Sequence, residues 1–188
     1  MRSSTLLILA LLAGQILGQS CALGWPAKSK TIHDGDSFTT EMPNGNLGHI
    51  RLYGIDAPEL KQSFGFQAKK GLNKLISRRT LDIEDMDTDR YGRTVVVVRT
   101  SEGVMANEEM VRSGLAWVYD QYCKREDICA PLRQAEAEAR SAGRGLWAEG
   151  SPTPPWEWRK EHKHEEWYAK PTRVLKSLTN KIKIILKP

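Results

Sequence analysis

Two short segments in the first third of the chain carry acidic residues that could share one cation. Residues 32–37 read IHDGDS and residues 50–59 read IRLYGIDAPE, and both are predicted to be extended. If the two segments pair as neighbouring strands, Asp36 and Asp56 converge on one hard cation that prefers oxygen ligands. Asp-Gly-Asp is also a good turn sequence, so the structural alternative for Asp34 and Asp36 is a turn without a cation.

A further carboxylate and two arginines lie close to these acids in the sequence. Glu59 follows Asp56 by one short turn, and Arg51 leads the second segment. Arg93 ends the segment DRYGR just before another predicted strand. A cation, a carboxylate base and arginines are the components that phosphoryl-transfer chemistry requires. The structural alternatives are a surface acid after a proline turn for Glu59 and surface ion pairs for the arginines.

The first residues have the pattern of an export signal. An arginine follows Met1, Leu6 to Leu17 form an apolar run, and small residues precede a predicted cleavage after Ala22. The apolar run is too short to span a bilayer as a helix. The alternatives are an uncleaved anchor or a lipoprotein attached through Cys21. We expect residues 1–22 to be a signal peptide and the mature protein to be secreted or periplasmic.

Removal of such a signal leaves two cysteines, Cys123 and Cys129. Export to an oxidising compartment predicts a disulfide between them. The alternatives are two free thiols in a cytosolic protein, or a zinc site completed by His162 and His164.

The positive charge of the chain is concentrated at its C-terminal end. Residues 23–150 hold 18 Lys and Arg against 19 Asp and Glu, whereas residues 151–188 hold 9 against 4. The first of these segments therefore does not rely on general positive charge to bind nucleic acid. Its length and its apolar content predict one ordinary domain, at 23–150.

The C-terminal segment begins with a proline-rich linker, residues 151–155. Trp156 and Trp158 follow, and they either dock back onto the domain or stack on nucleic-acid bases. Residues 170–188 have the pattern of a short basic amphipathic helix. This tail could contact an anionic membrane surface, hold nucleic acid near the site as an electrostatic tether, or be a poorly ordered end.

Hydrophobic periodicity predicts an α+β domain with five strands and about three helices. A helix is expected to begin with Pro131 in its first turn and to bury Leu132, Ala135, Ala139 and Ala142. The other predicted elements are strands at 30–40 (broken at 34–36), 47–55, 81–86, 94–99 and 115–122, and helices at 62–79 and 107–113. A barrel of five strands is of the oligonucleotide-binding type.

Several motifs, in order, resemble the staphylococcal (micrococcal) nuclease family. They are the DGD triplet at 34–36, residues 51–59, DRYGR at 89–93, VRSGLA at 111–116 and residues 136–147. The resemblance covers roughly residues 28–148. It implies an oligonucleotide-binding (OB-fold) barrel, dependence on calcium (Ca²⁺), and hydrolysis of both DNA and RNA that leaves 3′-phosphate ends.

The resemblance also implies a ligand set for calcium. Asp36 and Asp56 would be direct ligands, the backbone carbonyl of Ala57 a third, and Asp34 a more distant ligand acting through water. Family members often have threonine at the position of Ala57, and a backbone ligand survives that change. Oxygen ligands of this kind suit calcium better than zinc.

The same resemblance assigns the catalytic and substrate contacts. Glu59 would be the general base, and Arg51 and Arg93 would bind phosphate oxygens. Arg90 and Tyr91 match residues that hold the terminal nucleotide. Tyr119 and Tyr122 are both candidates for a base-stacking face.

The sequence therefore predicts an exported calcium-dependent nuclease that acts on DNA and RNA as a monomer. The main alternative is a catalytically inactive OB-fold module that binds nucleic acid, and such a module is expected to lose the acids or the arginines. A further alternative is a surface-attached adhesion or envelope protein whose tail is the functional part.

Overall fold

The strands and helices of the computed structural model lie within residues 24–162, the part of the chain that the structure describes. The strands are β1 (Trp25–Ala27), β2 (Ser29–Ile32), β3 (Ser37–Glu41), β4 (Leu47–Leu52), β5 (Ile55–Asp56), β6 (Leu81–Thr88), β7 (Thr94–Thr100) and β8 (Trp117–Val118). The α-helices are α1 (Gly65–Ile76), α2 (Ala106–Arg112), α3 (Glu126–Ser141) and a helical segment at 155–162, named α4 here. None of the helices described between residues 24 and 162 is both long enough and apolar enough to cross a membrane.

The main sheet closes on itself through one bent strand. Its six strands follow the order β1-β6-β7-β4-β3-β2, so β1 and β2 lie at opposite edges. Only Lys28 separates β1 from β2 in the sequence. The two edges therefore meet within one residue, and β1 and β2 are two halves of a single strand. Counted in this way, the sheet is a five-stranded barrel, which confirms the predicted oligonucleotide-binding fold.

The first predicted strand is two strands. β2 and β3 pair antiparallel, with Ile32 opposite Phe38, and the intervening residues form the turn of a hairpin. A carboxylate oxygen of Asp34 accepts hydrogen bonds from the backbone N–H of Asp36 and from the hydroxyl of Ser37. This local side-chain bonding reverses the chain where the sequence analysis expected only an irregular strand.

The second predicted strand also divides. β4 ends at Leu52, and Gly54 has a φ of 73°, which turns the chain before β5. β5 pairs antiparallel with β8, with Asp56 opposite Trp117. The strand predicted at 115–122 is therefore confirmed only over β8, and its last part is a short 3-10 helix, Asp120–Tyr122.

The third helix begins earlier than expected, so the placement of Pro131 in its first turn is wrong. α3 begins at Glu126, and Pro131 lies inside it. Glu126 and Asp127 in the first turn favour an N-terminus there, because acids stabilise the positive end of the helix dipole. The buried stripe of Leu132, Ala135 and Ala139 is confirmed, whereas Ala142 lies beyond the helix and is exposed.

The barrel and the helices share one apolar core. Its largest fully buried side chains include Phe38, Ile50, Leu72, Leu132 and Leu146. Cys123 and Cys129 form a disulfide with their Cα atoms 5.8 Å apart, which confirms the predicted pairing.

Candidate active site

Arg51 pairs with both Asp36 and Asp56, the two carboxylates predicted to bind a cation. Arg51 lies in β4 directly opposite Ser37, the first residue of β3, and so beside Asp36. Its Nη1 lies 2.5 Å from Oδ1 of Asp36, and its Nη2 lies 2.8 Å from Oδ1 of Asp56. The guanidinium also donates to the carbonyl oxygen of Ile55, at 3.2 Å. The pairing of β3 with β4 and the turn before β5 thus bring Asp36 and Asp56 together.

The two carboxylates are enclosed by the protein. Asp36 is 3 % exposed and Asp56 is 0 % exposed. The other oxygen of Asp36, Oδ2, accepts a hydrogen bond of 2.7 Å from the backbone N–H of Ala57. The predicted ligands Asp36, Asp56 and Ala57 therefore lie in one small region.

Gly35 allows the loop that carries Asp36 to approach its neighbours. A Cβ atom at Gly35 would lie 2.5 Å from the Cβ of Ala68 in α1 and 2.7 Å from the Cβ of Ala57. Both distances are far below van der Waals contact, so no other residue fits without displacing one of the two neighbours. The glycine in the DGD motif has a packing role in addition to its role in the turn.

The acids of the site carry more charge than the arginines neutralise. Four carboxyl groups lie here, those of Asp34, Asp36, Asp56 and Glu59, and two guanidinium groups, those of Arg51 and Arg159, pair with the last three. Burial raises the pKa of Asp36 to about 8, Arg51 opposes this increase, and the charges of Asp34 and Asp56 add to it. A divalent cation would balance the excess of negative charge and would favour the ionised form of Asp36, which a metal ligand requires.

The donor set fits calcium. Within residues 24–162, no group of three or more His, Cys, Asp or Glu side chains is arranged to hold a metal ion. The predicted set does not require one, because it consists of two carboxylates, the carbonyl of Ala57 and water. It contains oxygen atoms alone, which calcium prefers. Asp34 is engaged in the hairpin turn and orients Asp36 through that residue's backbone N–H.

Glu59 lies in the turn that follows β5. Its backbone N–H donates to Oε1 of Gln62, and its carbonyl oxygen accepts from the backbone N–H of Gln62. Its side chain is 36 % exposed, so water reaches this carboxylate more readily than those of Asp36 and Asp56. A partly exposed acid beside an enclosed pair is a suitable position for a residue that takes a proton from water.

The structure adds a residue that the sequence analysis did not identify. Arg159, in α4, places its Nη2 2.7 Å from Oδ2 of Asp56 and its Nη1 2.8 Å from Oε1 of Glu59. The sequence did carry a signal for the helix, because Pro155 stands at its first position, where proline is favoured. No local pattern indicated that the helix faces Asp56, which lies 103 residues away.

The predicted docking of the tryptophans is seen for Trp156. Its ring stacks on Tyr119 with centroids 5.1 Å apart and an interplanar angle of 7°. Trp158 instead stacks on His162 within α4. Tyr119 therefore has one face covered, while Tyr122 remains 56 % exposed.

His164 and the basic tail at 170–188 lie outside the described residues, as does the predicted signal at 1–22.

Arg93 is held at the start of β7 and has no recorded contact with the carboxylates described above. Its guanidinium pairs with Asp89 at 2.7 Å, and its backbone N–H donates to the same side chain. β7 runs parallel to β4 with Val95 opposite Arg51, and Arg93 directly precedes β7, two residues before Val95. The predicted phosphate contact of Arg93 stays a prediction.

Tyr91 stands between two arginines on the surface. Its ring is 70 % exposed and lies 4.8 Å from the guanidinium carbon of Arg90 and 5.6 Å from that of Arg93. Arg90 also donates a hydrogen bond to the hydroxyl of Tyr91. An exposed ring flanked by cations is suited to a nucleotide, which offers a base for stacking and a phosphate for pairing.

The sequence is similar to a nuclease family and to proteins named as endonucleases. The sequence profile of the staphylococcal nuclease homologue family matches residues 49–149. An uncharacterized endonuclease of Escherichia coli O157:H7 is 39 % identical over 142 residues, which is 72 % of this chain and 90 % of that protein. An uncharacterized endonuclease of Haemophilus influenzae is 38 % identical over 70 % of this chain and 71 % of its own length.

A plant protein is also similar to this chain. A staphylococcal-like nuclease of Arabidopsis thaliana is 41 % identical over 66 % of this chain, which corresponds to 37 % of that longer protein. The match of the profile to more than half of the chain, the near-complete coverage of the E. coli relative and the five-stranded barrel agree. The chain belongs to the staphylococcal nuclease homologue family.

Proposed function

We propose that this protein is an exported, calcium-dependent nuclease that hydrolyses phosphodiester bonds of DNA and RNA with low sequence specificity. The observation that carries the proposal is the junction of Asp36 and Asp56 on the guanidinium of Arg51, with Glu59 beside them. Membership of the family and the relatives named as endonucleases support a nuclease activity.

The calcium site consists of residues that already lie together. Asp36, Asp56 and the carbonyl oxygen of Ala57 would hold the ion, with Asp34 contributing through water. A bound calcium ion supplies positive charge that stabilises the additional negative charge on the phosphate as water attacks.

The side chains around the ion have separate tasks. Glu59 orients the attacking water and accepts its proton, while the bond from the water oxygen to phosphorus forms. Arg51 and Arg93 bind phosphate oxygens and offset the charge that develops there. The bond from phosphorus to the 5′-oxygen breaks, the 5′-oxygen takes up a proton from solvent, and the 3′-phosphate remains.

Substrate selection depends on features common to all nucleotides. Arg90 and Tyr91 hold the terminal nucleotide through phosphate pairing and base stacking. These contacts do not read base edges, so sequence specificity is low. Both DNA and RNA are accepted because the proposed contacts do not include the 2′-hydroxyl.

Export rests on residues 1–22, with their pattern of a signal peptide, and on the compartment that the disulfide of Cys123 and Cys129 favours. The tail at 170–188 would add contact with an anionic membrane or with nucleic acid.

Digestion of single-stranded DNA and of RNA by the full chain tests the proposal. Cleavage of both is expected with calcium, and no cleavage is expected with a calcium chelator. Asp56→Asn should abolish cleavage in calcium, and the products of the wild type should carry 3′-phosphate ends. Binding of nucleic acid without cleavage, by folded wild-type protein in calcium, would instead support the inactive binding module.

A further inference from the structure

We propose that residues 151–162, named the strap here, are autoinhibitory, that Arg159 competes with the calcium ion for Asp56, and that the same side chain engages the proposed base Glu59. The inference rests on the proposed function, because it concerns the same cation site. In this account, the strap covers the site until calcium displaces the guanidinium.

The competition follows from the acceptors that Arg159 uses. Its Nη2 lies 2.7 Å from Oδ2 of Asp56, and its Nη1 lies 3.2 Å from Oδ1 of the same residue. Arg51 also donates to Oδ1. Three donors therefore face the two oxygens of Asp56, and a carboxylate offers only about four lone-pair directions. A cation that binds both oxygens requires Arg159 to withdraw, and a cation that uses the remaining direction at Oδ2 would lie beside the guanidinium and be repelled by its charge.

The proposed base is engaged by the same guanidinium. Nη1 of Arg159 lies 2.8 Å from Oε1 of Glu59. A carboxylate oxygen that accepts this charge-assisted hydrogen bond is less available to take the proton of a water. One side chain of the strap thus occupies both the ligand and the base.

Besides the bonds of Arg159, a ring contact and a hydrogen bond attach the strap near the site. Trp156 stacks on Tyr119, and the carbonyl oxygen of Thr153 accepts a hydrogen bond of 2.6 Å from Nε2 of Gln62. Arg159 itself is 39 % exposed, so water competes for its donors. Its partner Asp56 is 0 % exposed, so the enclosed carboxylate strongly favours a positive charge beside it. A divalent cation carries twice the charge of the guanidinium and can therefore replace it there.

The proposal predicts a specific change in calcium affinity. If the strap is docked for about nine-tenths of the time, the apparent dissociation constant of calcium is raised roughly tenfold. Arg159→Gln removes the competing charge and should tighten calcium binding by roughly that factor. Nuclease activity should rise at calcium concentrations below saturation and stay unchanged at saturation.

The test is a calorimetric titration of calcium into the full chain as wild type, Arg159→Gln, Lys160→Gln and Asp56→Asn. Lys160→Gln is the matched control, because Lys160 is exposed and the substitution removes one positive charge from the neighbouring position of α4. Only Arg159→Gln should bind calcium more tightly. Tryptophan emission is the second readout: calcium should change it in the wild type, as Trp156 leaves Tyr119, and Trp156→Phe should remove most of that change.

The possible results distinguish a failure of the strap proposal from a failure of the proposed nuclease function. Equal affinities for wild type and Arg159→Gln, with binding lost in Asp56→Asn, would overturn the strap and leave the proposed function in place. The same holds if calcium binds and the emission of Trp156 does not change. Unaltered calcium binding with a fall in saturated activity in Arg159→Gln would make Arg159 a phosphate-binding residue and overturn the strap. Absence of calcium binding in every variant would contradict both proposals.

Discussion

Arg51 and Asp36 form an enclosed ion pair, with Nη1 of the arginine 2.5 Å from Oδ1 of the aspartate. Asp36 directly precedes β3, and Arg51 lies in β4 opposite Ser37, the first residue of β3. Arg51 bonds to Asp56 as well, so it holds two buried carboxylates that would otherwise repel each other. The same side chain therefore supports the fold and, in our proposal, the reaction.

Arg51→Gln is expected to lower the free energy of unfolding by about 3 kcal/mol, because it leaves buried carboxylates without their partner. It should also lower kcat by roughly 10²–10³-fold through loss of a phosphate contact. Urea unfolding in the presence of a chelator measures the first effect. Arg79→Gln is the control, since its pair with Glu102 is exposed and should contribute at most about 1 kcal/mol. Equal destabilisation by the two changes would contradict the assigned role.

Gly35→Ala should lower the free energy of unfolding by about 1–3 kcal/mol, because the new methyl group overlaps Ala57 and Ala68. Displacement of Ala57 should also weaken calcium binding, which calorimetry measures. Gly48→Ala is the control, since the added atom meets only the side chain of Met42, which can move. Unchanged calcium affinity in a destabilised Gly35→Ala protein would show that the packing of Gly35 does not position the calcium ligands.

Asp89 should contribute to stability in a pH-dependent way. Burial opposes its ionisation, but hydrogen bonds from the backbone N–H and guanidinium of Arg93 outweigh that effect and lower the pKa of Asp89. Since the pKa is lower in the folded protein, this stabilisation is present above about pH 4, the ordinary value for Asp, and is lost as the pH falls further.

Asp89→Asn is therefore expected to cost about 1–2 kcal/mol at pH 7 and less at pH 3, because the charge-assisted bonds are lost. Urea unfolding at the two pH values measures the difference. The change also releases Arg93 from its fixed position beside Asp89. Its proposed contact with the phosphate then weakens, so KM should rise. A cost that is the same at both pH values would show that ionisation of Asp89 does not matter.

Tyr91→Ala should raise KM for single-stranded DNA by roughly tenfold and leave kcat unchanged, because a stacking face for one base is lost. Steady-state kinetics in saturating calcium measure both constants. Phe66→Ala is the matched control, since both rings are 70 % exposed but the flanking arginines are a feature of Tyr91. A loss of kcat in Tyr91→Ala, with KM unchanged, would contradict a role in substrate binding.

The sequence predicted the elements whose pattern is local. The stripe of Ala68, Leu72 and Ile76 in α1 follows from helical spacing, and the valines of β7 follow from β propensity. The hairpin at Asp34 was read as a broken strand, because the same acids suited either a turn or a cation site.

Other features depended on contacts that no local pattern encodes. Pro131 was placed at a helix start because proline is common there, but the acids at Glu126 and Asp127 begin the helix one turn earlier. The pairing of Arg159 with Asp56 joins two distant parts of the chain, and only the folded barrel brings them together. Family resemblance supplied the roles of Asp36 and Glu59 but did not extend to α4.

Cleavage of single-stranded DNA by Glu59→Gln, beside the wild type in calcium and in chelator, tests the central claim most directly. We expect kcat to fall by roughly 10²–10⁴-fold in Glu59→Gln, because the attacking water loses its base. The control Glu41→Gln, which removes an exposed acid paired with Lys30, should cleave like the wild type. Calcium-dependent cleavage that is lost with Glu59 is the predicted result. Cleavage by Glu59→Gln at the wild-type rate, or cleavage that persists in chelator, would contradict it.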